Sequence, residues 1–181
     1  MFFLGIGLQY VTTMLTDAIG ALRPDLITAY HAQMSSQGYD DLSLLLLVYS
    51  VILAPVIEET VFRGLVFRYA RHAMPFWFAN ILQAALFGFV HMNLVQGIYA
   101  FAMGLFLGWV CRRGHGIKYS IPVHIVFNII GCFFSGLIQI SLTLSYPLFA
   151  GLGIMLTIFA LWLFYTDFQT ADHSRSNAHE T

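Results

Sequence analysis

Residues 42–67 form an apolar run long enough to cross a bilayer, yet they carry Glu58, Glu59 and Arg63 within six positions. A spanning helix needs about 20 largely apolar residues. Inside lipid only helices or closed barrels satisfy every backbone polar group. A charge at the bilayer centre costs on the order of 3 kcal/mol on insertion scales. Three such groups therefore have to pair, face a wet cavity or take part in chemistry, and other helices must supply their surroundings.

The remainder of the chain fits that constraint. Of its 181 residues 59% are hydrophobic and 9% charged, with a mean hydropathy of +0.76. A soluble domain carries about 25% charged residues, so this is an integral membrane protein whose first partner is the lipid bilayer. A net charge of −1 without a basic stripe excludes nucleic acid as a partner. Cys111 and Cys132 lie in or beside apolar segments and read as buried thiols, not as a disulfide framework.

Six segments qualify as membrane helices or come close: 2–20, 42–67, 76–92, 94–111, 119–140 and 148–166. They predict an all-α, polytopic transmembrane helical bundle with about six spanning helices, in a single domain over residues 1–166. The polar tail, 167–181, is expected to be disordered. No basic stretch precedes Phe2-Phe3-Leu4, so the first segment is expected to be a retained helix and not a cleaved signal. Between Arg23 and Asp41, Pro24 suits a first helical position, and Leu26, Ile27, Tyr30 and Met34 recur at helical spacing. A short surface helix is expected there. Gly104 and Gly108 mark a close-packing face.

Along a six-helix path, Arg68, Arg71, Arg112, Arg113, Lys118 and Arg175 fall on one side. The positive-inside rule makes that side cytoplasmic and puts both termini there. Trp77, Trp109 and Trp162 sit near the same boundary, where an aromatic belt belongs. A prokaryotic cell membrane is the expected location, and the cavity that the charges require is expected to open towards the cytoplasm.

The intramembrane polar groups fall in pairs four residues apart on three segments, one pair with an aromatic partner: Glu59 and Arg63, Phe87 and His91, His124 and Asn128. Residues at that spacing share a helix face. Glu59 one turn before Arg63 is the favourable order for an ion pair. Glu58 is rotated about 100° away, without a partner in its own helix. Pro55 removes a backbone donor, leaves the Val51 carbonyl unpaired and bends the helix just before Glu58. Glu58, His91, His124 and Asn128 suit amide hydrolysis by water: a carboxylate and an imidazole take the proton, and His and Asn donate to the oxyanion. Glu58, His91 and His124 also match a zinc set, although no His-Glu-x-x-His is present.

At these residues the sequence resembles the CAAX-protease and bacteriocin-processing (CPBP, Abi) family of intramembrane endopeptidases. Glu58, Glu59, Phe62, Arg63 and Gly64 match its first motif, Glu-Glu-x-x-x-Arg. Phe87 and His91 match the second, and His124 and Asn128 the third, in order over roughly residues 50–130. The resemblance implies a metal-independent glutamate mechanism with no cofactor. Glu58 and His91 would activate water, His124 and Asn128 would form the oxyanion site, and Glu59 and Arg63, with Phe87 packed beside them, would support it. The implied substrate is a prenylated CAAX-type or bacteriocin-like peptide. Members often carry more helices ahead of the first motif than the one found here.

Two other classes remain open: a non-catalytic bacteriocin-immunity or membrane-scaffold protein of the same fold, and a proton-coupled transporter. His31, His72, His115, His173 and His179 fall in loops or the tail and are expected to be uninvolved. At about 1.5 Å per residue, His91 is offset by roughly 7 Å in depth from Glu58. The constellation requires that gap to close.

Overall fold

The protein, seen here as a computed structural model, is described over the backbone of residues 2–41 and 43–179 and the side chains of residues 2–41, 43–162 and 166. All regular structure among the described residues is helical. The helices are α1 (Phe2–Leu22), α2 (Pro24–Ser36), α3 (Leu44–Ala73), α4 (Phe76–Phe89), α5 (Leu94–Arg113), α6 (Ile117–Leu144) and α7 (Tyr146–His179). Each of the six apolar segments is a helix. Four of them, α1, α3, α5 and α6, are long and apolar enough to span a membrane; α4 and the apolar part of α7, Tyr146–Trp162, are shorter. The side chains of the tail expected over 167–181 lie outside the described residues. Leu44, Phe78, Phe89, Phe133 and Leu144 are exposed, as surfaces solvated by acyl chains require.

Small residues set how closely these helices approach. A Cβ on Gly5 of α1 would lie 2.5 Å from Val126 of α6, and one on Gly7 would collide with Thr157 of α7. With that spacing fixed, Leu4 and Leu8 reach Leu107, Val110, Val123 and Phe127 in a core shared by α1, α5 and α6. The pair Gly104 and Gly108 does the same for the α4–α5 hairpin. A Cβ on Gly104 would stand 2.9 Å from Ala84 Cα, and Gly108 backs onto Asn80.

Helix α3 is irregular. Ser43 caps it by accepting from Leu46 N–H at 3.1 Å, and α-helical turns then alternate with π-helical stretches at Tyr49–Leu53 and Glu59–Phe67. Widened turns of this kind are frequent at functional sites. In the first stretch Ala54 N–H donates to the Tyr49 carbonyl, five residues back. Continued by one residue, that register would pair the Ser50 carbonyl with Pro55, which has no N–H. The carbonyl left open by the proline is therefore that of Ser50, one residue before the Val51 expected from α-helical spacing.

The short surface helix is α2. It has Pro24 in its first turn and no buried residue. Arg23 forks onto Asp25 through two hydrogen bonds of 2.9 and 2.7 Å, which holds the Asp25 carboxyl below its ordinary value. The helix packs across α1 and α5. It is tied to the turn after α4, where Asn93 Nδ2 donates to Gln33 Oε1 at 2.8 Å.

Candidate active site

The first motif divides in space as its spacing predicts. Arg63 donates from Nη1 to Glu59 Oε1 at 2.8 Å, with both side chains fully buried. Its Nη2 donates to the Gly104 carbonyl at 3.2 Å, which the close α4–α5 approach brings within reach. Gln83 Nε2 donates to the same carbonyl at 2.8 Å and to Asn80 Oδ1 at 2.8 Å. The guanidinium also lies 4.5 Å from the Phe87 ring centre, a cation–π contact that desolvation strengthens. Charge, carbonyl and ring together account for an arginine in an apolar bundle.

Glu58 faces the other way and is 27% exposed. It lines a cavity of about 460 Å³ together with His91, His124 and Asn128. The sequence-predicted groups are thus brought together from α3, α6 and the turn that follows α4. His91 is on that turn and not inside a helix, because α4 ends at Phe89. Its Nδ1 donates to the Phe87 carbonyl at 2.7 Å, since a carbonyl can only accept. This folds the ring back against Phe87, edge-to-face at 5.0 Å, where His91 lines the same cavity as Glu58. The same Phe87 ring meets His124 edge-to-face at 5.8 Å.

His124 joins the two glutamates. Its Nδ1 stands 3.0 Å from Glu59 Oε1 and its Nε2 3.5 Å from Glu58 Oε2. The Glu59 carboxylate, fixed by Arg63, accepts from Nδ1–H, so Nε2 is directed at Glu58. Asn128 is also bound to α3, where its Nδ2 donates to the Ser50 carbonyl at 2.7 Å, the acceptor opened by Pro55. An oxyanion role for Asn128 is left with one N–H of its amide. Among the described residues no three His, Cys, Asp or Glu side chains are grouped as a metal set.

Residues 40–130 match the family described as "Type II CAAX prenyl endopeptidase Rce1-like". The chain belongs to that family. The matched stretch holds every residue placed at the site above, from Glu58 to Asn128. The chain is also 30% identical over 84 residues to "Putative membrane peptidase YdiL" of Bacillus subtilis, an alignment covering 46% of this chain and 34% of that protein. It therefore spans about a third of the length of this curated relative. No solved structure matches.

Three parts of the cavity escape motif reasoning. His31, expected to be uninvolved, lies on α2 and lines the cavity with Tyr30. Ser50 is drawn in by its carbonyl, and its hydroxyl pairs with Tyr39 at 2.9 Å. Helix α1 contributes Gln9, Thr12, Thr13 and Thr16, whose helical spacing is a readable signal in the sequence. The lining also bears on the expected side of the opening. The cavity is lined from α2 and the α4–α5 turn, whereas Arg68, Arg71, Arg112, Arg113 and Lys118 cluster at the opposite ends of the helices. A cytoplasmic basic face and a cytoplasmic opening are incompatible in this arrangement.

Proposed function

We propose that the chain is an intramembrane endopeptidase that hydrolyses a peptide bond with water activated by Glu58 and His91, without a metal. The observation that carries this reading is the convergence of Glu58, His91, His124 and Asn128 on one polar cavity inside a membrane-helix bundle. Glu58 takes the proton from water. His91, whose Nδ1 is engaged by Phe87, offers Nε2 as the second acceptor. His124 carries a proton on each ring nitrogen, so that Nδ1–H stays on Glu59 while Nε2–H, together with the remaining Asn128 N–H, donates to the oxygen of the tetrahedral intermediate. The proton taken by Glu58 then passes to the leaving amine. Glu59 positions His124 through Nδ1, while Arg63 and Phe87 hold that arrangement in place.

The substrate in this reading is a prenylated CAAX-type or bacteriocin-like peptide. Family membership favours the first. The orientation favours the second, since basic loops on the cytoplasmic side put both termini there and turn the cavity to the outer face. Glu58→Gln in membrane-reconstituted protein is expected to lower cleavage by about 10²–10⁴-fold, the usual worth of a positioned acid or base. Stringent chelation should leave the parent active. Surviving cleavage in Glu58→Gln sinks the glutamate mechanism and leaves a binding or immunity role, and loss on chelation restores zinc. For orientation, a cysteine at Asp40 should react with an impermeant thiol reagent in intact cells and one at His115 should not. The reverse labelling places the cavity on the cytoplasmic side.

A further inference from the structure

The wall of the cavity formed by α1 has no part in the chemistry above. Gln9, Thr12, Thr13 and Thr16 follow the spacing i, i+3, i+4, i+7, which makes one stripe down one helix face, and all four line the cavity. Helix α1 packs chiefly on α6 and α7, while Glu58 reaches the cavity from α3. The stripe and Glu58 therefore line one cavity from different helices.

Its hydrogen-bonding state is specific. Thr12 and Thr13 donate to the Gln9 carbonyl at 3.1 and 2.8 Å, and Thr16 donates to the Thr12 carbonyl at 2.6 Å. A threonine hydroxyl has one proton and two lone pairs, so these three present acceptors only. Gln9 Oε1 is buried without a hydrogen-bond partner. Packing of helices does not require four polar residues here, and an unpaired buried acceptor costs about 1–3 kcal/mol. The stripe calls for a ligand rich in N–H donors.

Building on the endopeptidase reading, we propose that the α1 stripe is a substrate subsite that holds an extended peptide by its backbone amides. An extended chain carries N–H groups along both edges. Those on one edge meet the threonine oxygens and Gln9 Oε1, while Gln9 Nε2 donates to a neighbouring carbonyl. The opposite edge then lies towards Glu58 and His124. Recognition of this kind reads backbone and tolerates varied side chains. It also keeps an isoprenoid off this wall, because hydrocarbon would leave the same acceptors unpaired.

The test uses the full chain in phospholipid nanodiscs and an unstructured, fluorophore-labelled nine-residue peptide, unmodified or farnesylated. Binding is read by anisotropy in a Glu58→Gln background, and KM and kcat in the parent. Thr13→Val and Gln9→Leu should each weaken binding and raise KM about fivefold, the worth of one hydrogen bond of about 1 kcal/mol, with kcat nearly unchanged. Thr13→Ser, which keeps the oxygen, should behave as the parent and controls for folding. A single backbone N-methyl at the matching position should weaken binding to the parent and add nothing to Thr13→Val. Unchanged binding in both variants, or an equal loss at every N-methyl position, overturns the subsite, as does failure of the Glu58→Gln protein to bind either peptide. Stripe-dependent binding without any cleavage by the parent overturns the endopeptidase and keeps the subsite; cleavage with KM insensitive to α1 does the reverse.

Discussion

Two sides of α3 treat charge in opposite ways. Towards α4 and α5, Glu59 and Arg63 are sealed, and each meets a fixed partner: an ion pair, a glycine carbonyl and an aromatic face. Towards α1 and α6, Glu58 is partly exposed to a cavity, and its closest polar neighbour, His124, stands at 3.5 Å. Adjacent residues in the chain thus have different fates. A buried pair holds helices together through its ion pair and fixed neighbours, even though Glu59 Oε2 and Arg63 Nε are left without hydrogen bonds. A carboxylate beside a wet cavity is instead available for proton transfer. His124 connects the sides, since one ring nitrogen belongs to each.

Removing one partner on the sealed side should have the largest effect on stability. Arg63→Met leaves Glu59 charged and buried, a change that costs about 3–5 kcal/mol. Thermal unfolding in detergent should fall well below the parent, and yield should fall with it. Glu58→Gln should leave the unfolding temperature near the parent while activity collapses. If Arg63→Met unfolds like the parent, the sealed side is not structural and the contrast between the two glutamates fails.

Much of this contrast is legible in the sequence. The i, i+4 order of Glu59 and Arg63 announces their pairing, and six apolar runs mark the helices. Gly104 and Gly108 signal the close approach, but not that it presents the Gly104 carbonyl to Arg63 and Gln83. That depends on how far α4 sinks into α5, which is a packing outcome. The π-helical turns are equally hidden. Pro55 signals an unpaired carbonyl, but the helical register decides which one, and it selects Ser50 over Val51. Apolarity continues past Phe89 and suggests a helix through His91, whereas the chain turns there. That the cavity is lined away from the basic loops is equally hidden, because charge counts report on loop ends, and the depth of a cavity depends on which helix ends part.

Gly104→Val probes the packing that supplies the shared carbonyl. An added side chain meets Ala84 at a distance no Cβ adopts. Overpacking of this kind costs about 1–3 kcal/mol. The α4–α5 pair should separate, and both Arg63 and Gln83 should lose an acceptor. Unfolding temperature should drop by less than in Arg63→Met, with activity falling in proportion to the folded fraction. Phe87 of α4 already lines the cavity, so a change in KM at full folding would mean that the α4–α5 spacing also sets the position of that wall, and the division between the sides would need redrawing.

The smallest effect tests the open side for hidden structure. Asn128→Ala removes the donor to the Ser50 carbonyl, which Pro55 leaves open. The carbonyl can take a water from the adjacent cavity, so the stability loss should stay at about 1 kcal/mol, the net worth of one hydrogen bond. Activity should fall by more than that loss explains, because the remaining Asn128 N–H faces the oxyanion in the proposed mechanism. Asn128→Ser separates bracing from catalysis. A hydroxyl on this shorter side chain cannot span to α3 and still serve the cavity, so stability and activity should not recover together. If a single substitution restores both, Asn128 acts only by bracing the π-helical turn. Oxyanion stabilisation then falls to His124 alone, the residue already shared with the sealed side.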